Sequence, residues 1–535
     1  MENLRDKYEV VIGLEVHAQL KTKSKIFAPD GCEFGKEPNS ETSPITLGMP
    51  GVLPVLNKEV VNMGILTGLA LNCEIPEKCK FDRKQYFYPD LPKGYQISQY
   101  DEPICLGGYL DVKGKRIGIT RAHLEEDAGK LVHAGADGLA GSSYSLVDLN
   151  RAGTPLLEIV SEPDMRSSEE ARNYMEELRN IVRYIGVCDG NLEEGSMRCD
   201  ANISIMPKGS KEFGTRAEIK NVNSFSALQR AIEYEIDRQI EIVEEGGKIV
   251  QETRLWDDNS RETRSMRGKE DAHDYRYFPE PDLMPLKISR EWVQEIKDKM
   301  PELPQAKRER YMSLGLSEYD ACVIVEQMGL ALFFDEVLKA GANPKIAVNF
   351  IMGEIAAYLK EEKIEITDTK LTPENLAELI AMIEKNTISN NIGKQIILDM
   401  MKDGAKASKI VEDRGLSQIS DEGAIKSIVQ KVVDANPNQV EAYKGGKTQL
   451  LGFFVGQVMK ETKGRANPKT VNDLLKEILD CKILKPQKGN KHSLVQMAIE
   501  NAKESLEKKF QLMQKNEAAT IGAMKQLGEL LNIPT

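Results

Sequence analysis

No stretch of this 535-residue chain is long and apolar enough to span a bilayer, and the apolar run after Tyr8 is interrupted by Glu15 and His17. Nothing near the N-terminus has the charged, apolar and small-residue order of a secretory signal, so a cytoplasmic location is expected. The eight cysteines are scattered from Cys32 to Cys481 without one C-x-x-C pair, which excludes a zinc ribbon by spacing and favours reduced thiols over a disulfide framework. Internal repeats and low-complexity tracts are also lacking. Nor is there an excess of positive charge: 72 Lys and Arg stand against 84 Asp and Glu, a net charge of -12. That excludes indiscriminate coating of nucleic acid and leaves room only for a regional basic surface.

What is there is an ordinary globular composition, 41% hydrophobic and 29% charged, in a chain too long for one core. From Tyr8 to about Leu286, short alternating runs are punctuated by Gly, Pro and Asn, which predicts a strand-rich region. Two helices are expected inside it. The first has Ser167 and Glu170 at capping-box spacing, apolar residues from Ala171 to Ile185 at helical period, and Gly186 as a stop; the second runs from about Ser226 to Gly246-Gly247. Pro279 to Asp282 and Met300 to Pro304 read as an extended linker. Beyond it the period is helical, with Thr372 as a cap and Pro373 at a first helical position. The expected class is α+β: a strand-rich domain over 1–295, helical domains over 296–368 and 369–479, and a helical extension over 480–535.

The chemistry-bearing text begins in Val10-Val11-Ile12-Gly13-Leu14-Glu15-Val16-His17. As a strand, it turns Ile12, Leu14, Val16 and Ala18 to one side and Gly13, Glu15, His17 and Gln19 to the other. Alone, such a segment reads as a half-exposed strand with a solvated polar side. Glu158, however, is embedded in Leu156-Leu157-Glu158-Ile159-Val160, where an uncompensated charge would cost several kcal/mol, so it needs a cation, a proton or a partner. Met197 to Ile205 alternates, with Arg198, Asp200, Asn202 and Ser204 on one side, and Thr215 to Lys220 does so with Arg216, Glu218 and Lys220. If these strands share a sheet, carboxylates and one imidazole converge on a polar face. Oxygen ligands with one imidazole and no thiolates suit Mg²⁺ or Mn²⁺. Gly446-Lys447-Thr448 ends like a phosphate-binding loop, but Glu441 stands where that motif needs glycine, so a turn with exposed lysines is expected.

The segments Val11 to His17, Lys80-Phe-Asp-Arg-Lys-Gln-Tyr-Phe-Tyr-Pro-Asp90, Lys93 to Ser98, His123-Leu-Glu-Glu-Asp-Ala-Gly129, Val147 to Arg151, Asp274 to Asp282 and Gly456 to Lys460 closely resemble the B subunits of bacterial tRNA-dependent amidotransferases. The resemblance runs to about Leu479. It implies a cradle-shaped catalytic domain, a helical domain and a tRNA-binding tail. It also implies a heterotrimer with a glutaminase A subunit and a small C subunit, and ATP-dependent amidation of Glu-tRNA(Gln) or Asp-tRNA(Asn) through an acyl phosphate. Carried over residue by residue, it makes His17, Glu126 and Glu158 ligands of a first Mg²⁺, for which Mn²⁺ is an expected substitute. Glu15, Glu125, Asp200 and Glu218 become ligands or neighbours of a second. Strand parity sets Glu125 and Glu126 on opposite faces, so both can serve only if the chain bends there.

On the same resemblance, His17, Glu126, Lys84 and Tyr86 sit at the reacting centre, with Lys84, Tyr86 and Tyr88 as gate or wall of an ammonia tunnel; for the aromatics core packing is the competing reading, and it is the one expected of Phe87. Arg198, Asn202 and Lys220 are the expected contacts to ATP. Lys447, Lys460, Lys463, Arg465 and Lys469 are candidate tRNA-phosphate contacts, with a solvated helix surface as the competing reading. Zinc is not expected, because the cysteine pairs that many members carry between Ile26 and Gly51 are reduced to Cys32. Three rivals remain open at this level: the archaeal-type E subunit, which shares the cradle; a tRNA-binding scaffold without chemistry; and a metal-dependent phosphohydrolase acting alone.

Overall fold

The computed structural model describes residues 2–133, 144–266, 275–418, 421–462 and 464–480. Its centre is Tyr8–Gln19 (β1), a strand whose Ile12, Leu14, Val16 and Ala18 are at most 1% exposed while Gly13, Glu15, His17 and Gln19 are half-buried on the other side. The alternation written in the sequence is therefore the division between a core face and a polar face.

The strands that follow and matter here are Asp82–Gln85 (β2), Tyr95–Ser98 (β3), Cys105–Leu106 (β4), Tyr109–Val112 (β5), Lys115–Glu126 (β6), Pro155–Ser161 (β7), Met197–Pro207 (β8), Ala217–Val222 (β9), Thr253–Asp257 (β10), Glu262–Ser265 (β11) and Phe278–Pro279 (β12). Nine of the strands form one sheet in the order β11-β10-β9-β8-β1-β7-β6-β4, with β5 pairing β6. The pairs are antiparallel except β9 with β10, which run parallel. A parallel pair needs a crossover, and the helix Phe225–Glu244 supplies it. That helix and Ser168–Tyr184 cover the core face, where Ala171, Tyr174, Leu178, Leu228, Ile232 and Ile236 join the residues of β1 in one apolar cluster. Ser168–Tyr184 starts at its Ser167 cap as expected, whereas Phe225–Glu244 is capped by Ser224, two residues before the expected Ser226; the two hydroxyls accept from the backbone N–H groups of Glu170 and Ala227.

A third helix, Lys58–Ala70 (α1), lies in the region read as strands with two helical interruptions. Its signal is diluted by Gly64 and Gly68, which are poor helix formers. Packing requires them: a Cβ on Gly68 would sit 2.4 Å from Cys105 Sγ, and one on Gly64 would sit 3.0 Å from Ile104.

The segment after Phe278 is also no free linker. Phe278–Pro279 pairs with β2, which pairs with β3, and Glu280 is 2% exposed with its carboxylate gripped by Arg83, Nε to Oε2 at 2.7 Å and Nη2 to Oε1 at 2.9 Å. Pro279, one of the prolines that suggested an extended run, sits at a sheet edge, where a missing N–H is tolerated. The loop around Cys32 is held by Lys25, buried with Nζ donating to the Glu41 carbonyl at 2.7 Å, and by Asp30, which accepts from Ser43 and Thr46. Burial there pushes the Cys32 thiol up to about 11.

From Pro304 onward the described residues are helical, ending with Pro468–Asp480, and Thr372 caps Pro373–Glu384 by accepting from Asn375 N–H. The described residues divide into two compact units, one within 1–385 together with 393–413, and the other within 386–392 together with 414–480. The boundaries expected near 295 and 368 both fall inside the first unit. In the second, Ile425, Val429, Phe454, Val458 and Leu475 form a core. The extension, apart from Asp480 at its start, lies outside the described residues. No helix among the described residues is long and apolar enough to cross a membrane.

Candidate functional site

On the polar face, the register sets His17 of β1 opposite Glu158 of β7, and Glu158 opposite His123 of β6. Two residues on, Glu125 faces the same way. His17 Nε2 lies 3.3 Å from Glu158 Oε2, His123 Nε2 lies 3.6 Å from the same oxygen, and His123 Nε2 lies 3.8 Å from Glu125 Oε2. Lys84 Nζ stands 3.8 Å from Glu125 Oε2, which also accepts from Ser98 Oγ at 3.2 Å. The ligand atoms of His17, Glu125 and Glu158 all lie within 4.8 Å of one another.

Glu125 and Glu158 are buried, and burial by itself disfavours their charged forms. The surroundings reverse this. Against desolvation, His123, His17 and Lys84 hold the Glu158 carboxyl well below the usual carboxylate range, and Lys84 and His123 hold Glu125 below it. The same pairing acts on the bases: desolvation lowers His17 and Lys84, but Glu158 outweighs it at His17, and Glu125 with Glu158 outweighs it at Lys84, so both are raised. The site is a compact set of anions and imidazoles with one ammonium at its edge. One nitrogen and two carboxylates converging in a buried spot form a donor set that fits a hard divalent cation.

The expected ligand trio differs from this geometry at one position. Glu126 faces the core side, where Lys93 Nζ lies 2.5 Å from Oε1 and the Ile97 N–H donates to the same oxygen at 2.8 Å. It is Glu125 that joins His17 and Glu158, because alternation along β6 allows only one of two successive residues onto the polar face. Of the second expected set, Glu15 pairs in register with Asp200 and accepts from Asn202 Nδ2 at 2.9 Å. Burial, with Glu158 and Glu218 nearby, raises the Glu15 carboxyl. Lys220 Nζ lies 2.8 Å from Asp200 and 3.2 Å from Glu218, which also accepts from Thr253 at 2.7 Å. An ammonium thus stands where those carboxylates converge, and burial notwithstanding, Asp200 and Glu218 raise its pKa.

Arg198 is held by the buried Asp127 at 3.0 Å, and Gln19 donates to the same carboxylate at 2.8 Å. A cavity of about 520 Å³ opens beside Glu15 and Asn202, bordered by Gly13, Val160, Phe213 and Arg216.

Tyr86 donates its hydroxyl to Gln96 at 3.0 Å, its ring lies 5.8 Å from that of Tyr275, and Lys84 Nζ is 5.2 Å from the Tyr275 ring. Tyr88 is exposed. Phe87 is not core: it is 86% exposed, resting against the backbone of Gly94. Lys447, Lys460 and Lys469 reach solvent, Arg465 donates to the Gly415 carbonyl at 3.0 Å, and Lys463 lies outside the described residues. Reading by sequence passed over His123 and Asp127 as site members, although both share the parity of Glu125 in His123-Leu-Glu-Glu-Asp127.

A family profile described as the GatB/GatE catalytic domain matches residues 10–294, and one described as the GatB domain matches residues 332–479. The chain is 56% identical over 480 residues to the B subunit of the aspartyl/glutamyl-tRNA(Asn/Gln) amidotransferase of Synechococcus sp. (strain JA-2-3B'a(2-13)), covering 89% of this chain and 98% of that protein. It is 58% identical over 474 residues to the protein of the same name from Geotalea uraniireducens (strain Rf4), covering 88% and 98%. To the chloroplastic/mitochondrial B subunit of the glutamyl-tRNA(Gln) amidotransferase of Physcomitrium patens it is 56% identical over 478 residues, covering 88% and 85%.

Proposed function

Since the chain belongs to the family of B subunits of the aspartyl/glutamyl-tRNA(Asn/Gln) amidotransferases, we propose that its polar face carries out the ATP-dependent amidation of Glu-tRNA(Gln), Asp-tRNA(Asn) or both. A carboxylate is a poor acylating agent. The γ-phosphoryl of ATP is therefore moved onto the side-chain carboxylate of the tRNA-borne amino acid, releasing ADP and leaving an acyl phosphate. Ammonia then attacks the acyl carbon, gives up a proton, and phosphate leaves with the amide formed.

The observation that carries this reading is the convergence of His17, Glu125 and Glu158, whose ligand atoms lie within 4.8 Å of one another. These residues would hold a divalent cation. Bound Mg²⁺ supplies neutralisation of the triphosphate and of the charge that develops in transfer. Lys84, 3.8 Å from Glu125, adds a positive group at the rim, and Tyr86 and Tyr275 flank it. The cavity beside Glu15 and Asn202 has the size of a small-ligand site and is the proposed place for the nucleotide; of the three expected ATP contacts Asn202 lines it, while Arg198 and Lys220 lie outside its lining. Glu15, Asp200 and Glu218 are the candidates for a second cation, which would have to displace the Lys220 ammonium.

Ammonia has to arrive unprotonated and away from water, since the acyl phosphate would otherwise hydrolyse. A glutaminase A subunit, braced by a small C subunit, is the proposed source, in the cytoplasm. In the second unit Lys447, Lys460 and Lys469 are proposed to follow tRNA phosphates. A scaffold without chemistry accounts poorly for the acid cluster, which would repel phosphates unless cations filled it.

The test is to purify the chain with its partner subunits and supply misacylated Glu-tRNA, ATP, Mg²⁺ and ammonium. Gln-tRNA should form, and His17→Ala and Glu125→Gln should abolish tRNA-dependent ATP cleavage while the partner's glutaminase remains measurable. Normal amide formation by both variants would remove the assignment.

A further inference from the structure

We propose that His123 is a positioning residue, whose Nε2–H faces the Glu158 and Glu125 carboxylates and by its electrostatic pull fixes them in the arrangement that receives the divalent cation. The inference rests on the metal reading above and adds to it a residue outside the ligand trio.

The sheet register carries the argument first. His17, Glu158 and His123 occupy one row across β1, β7 and β6, so Glu158 stands between two imidazoles, with His17 Nε2 at 3.3 Å and His123 Nε2 at 3.6 Å from the same oxygen. His123 Nε2 also lies 3.8 Å from Glu125 Oε2, and so addresses both carboxylates of the trio from one atom.

The hydrogen-bond polarity is the second support. Arg121 Nε donates to His123 Nδ1 at 3.4 Å. An arginine is only ever a donor, so Nδ1 is the acceptor and the proton of the neutral ring sits on Nε2, facing the carboxylates. A ring in that tautomer does not ligate a metal through Nε2. It orients the groups that do, and such outer contacts matter for affinity by roughly 10-fold to 100-fold. The third support is rigidity: His123 is 3% exposed, so its ring is held by packing on all sides.

The experiment compares His123→Gln with His123→Asn in the full chain assembled with its partner subunits. A glutamine amide reaches the place of Nε2, whereas an asparagine amide reaches only that of Nδ1. Mn²⁺ is titrated without ATP or tRNA and the free ion read by electron paramagnetic resonance. His123→Asn should weaken Mn²⁺ by roughly 10-fold to 100-fold, and His123→Gln should stay close to the unaltered protein. In the amidation assay, His123→Asn should raise the Mg²⁺ needed for half-maximal rate while its rate at saturating Mg²⁺ recovers. Unaltered Mn²⁺ affinity in His123→Asn, or equal weakening in both variants, overturns the proposal. Should His123→Asn fail to fold, Arg121→Met keeps the ring and removes the group that fixes its tautomer; weakened Mn²⁺ supports the proposal and unaltered affinity overturns it. His17→Ala separates the two levels. If it abolishes Mn²⁺ binding while His123→Asn does not disturb it, only the role of His123 falls; if it too leaves binding intact, the metal reading falls and the role of His123 with it.

Discussion

Lys93 and Glu126 form a buried ion pair behind the polar face, with Nζ 2.5 Å from Oε1 and the two side chains 13% and 6% exposed. Glu126 also receives the Ile97 N–H, and its own carbonyl receives Gln96 Nε2 at 2.6 Å. The Ile97 and Gln96 hydrogen bonds therefore fasten β3 to the end of β6, and Lys93, just before β3, neutralises the carboxylate between them.

Glu125 and Glu126 should consequently separate when each is altered. Glu126→Ala leaves a buried ammonium without its partner and should destabilise the protein by about 3 kcal/mol, seen as a lower thermal midpoint. Glu125→Gln should abolish Mn²⁺ binding while the midpoint changes far less. Equal loss of stability in the two variants would contradict the assignment of faces.

Gly68→Ala offers a test of α1. An alanine gains about 1 kcal/mol of helix propensity over glycine, yet its Cβ would sit 2.4 Å from Cys105 Sγ. The expected net result is destabilisation of about 1–3 kcal/mol from overpacking. Combining it with Cys105→Ala should restore part of the loss in a double-mutant cycle of thermal midpoints.

Among the helices, Arg310 grips Glu302 in a fork, Nε to Oε1 at 2.8 Å and Nη2 to Oε2 at 2.7 Å. The Arg310 hydrogen bond, aided by Lys307 and opposed by desolvation, holds the Glu302 carboxyl below its usual range. A carboxyl depressed in the folded state contributes stability above its unfolded pKa of about 4.3 and loses it as pH falls through the folded value. The difference in urea midpoint between the unaltered protein and Glu302→Gln should thus be full at neutral pH and shrink once pH drops below about 4. A difference constant with pH would refute the ion pair as its source.

For the second unit, replacing Lys447, Lys460 and Lys469 by alanine together should raise KM for tRNA with kcat little changed. Each phosphate partner removed should flatten the slope of log affinity against log salt by roughly 0.7–0.9. An unchanged slope would return these side chains to the role of solvated surface.

Local patterns were legible where one segment decides its own structure. Alternation in β1 and the serine cap at Ser167 are short-range features, and they appear as read. The α1 helix was hidden because its glycines answer to Ile104 and Cys105, residues distant in sequence. The run from Pro279 to Asp282 was misjudged for the same reason, since only Arg83, nearly two hundred residues earlier, explains a buried Glu280. At the site, parity announced that Glu125 and Glu126 must diverge, but which one meets His17 depends on the register of β6 against β7 and β7 against β1. Register between distant strands is set by the assembled core and is not written in any one of them.

Because Tyr8–Gln19 serves the greasy interior with one set of side chains and the acid-lined hollow with the other, its length is under stricter control than its letters. Losing Gly13 with the strand held at Ile12 would thrust Leu14 and Val16 among the carboxylates and turn Glu15 inward, two lesions from a single deletion. Losing two would keep the orientation but slide the imidazole about 7 Å along the sheet, away from Glu158. Volume-conserving substitutions on its core side can be absorbed one at a time; insertions and deletions cannot.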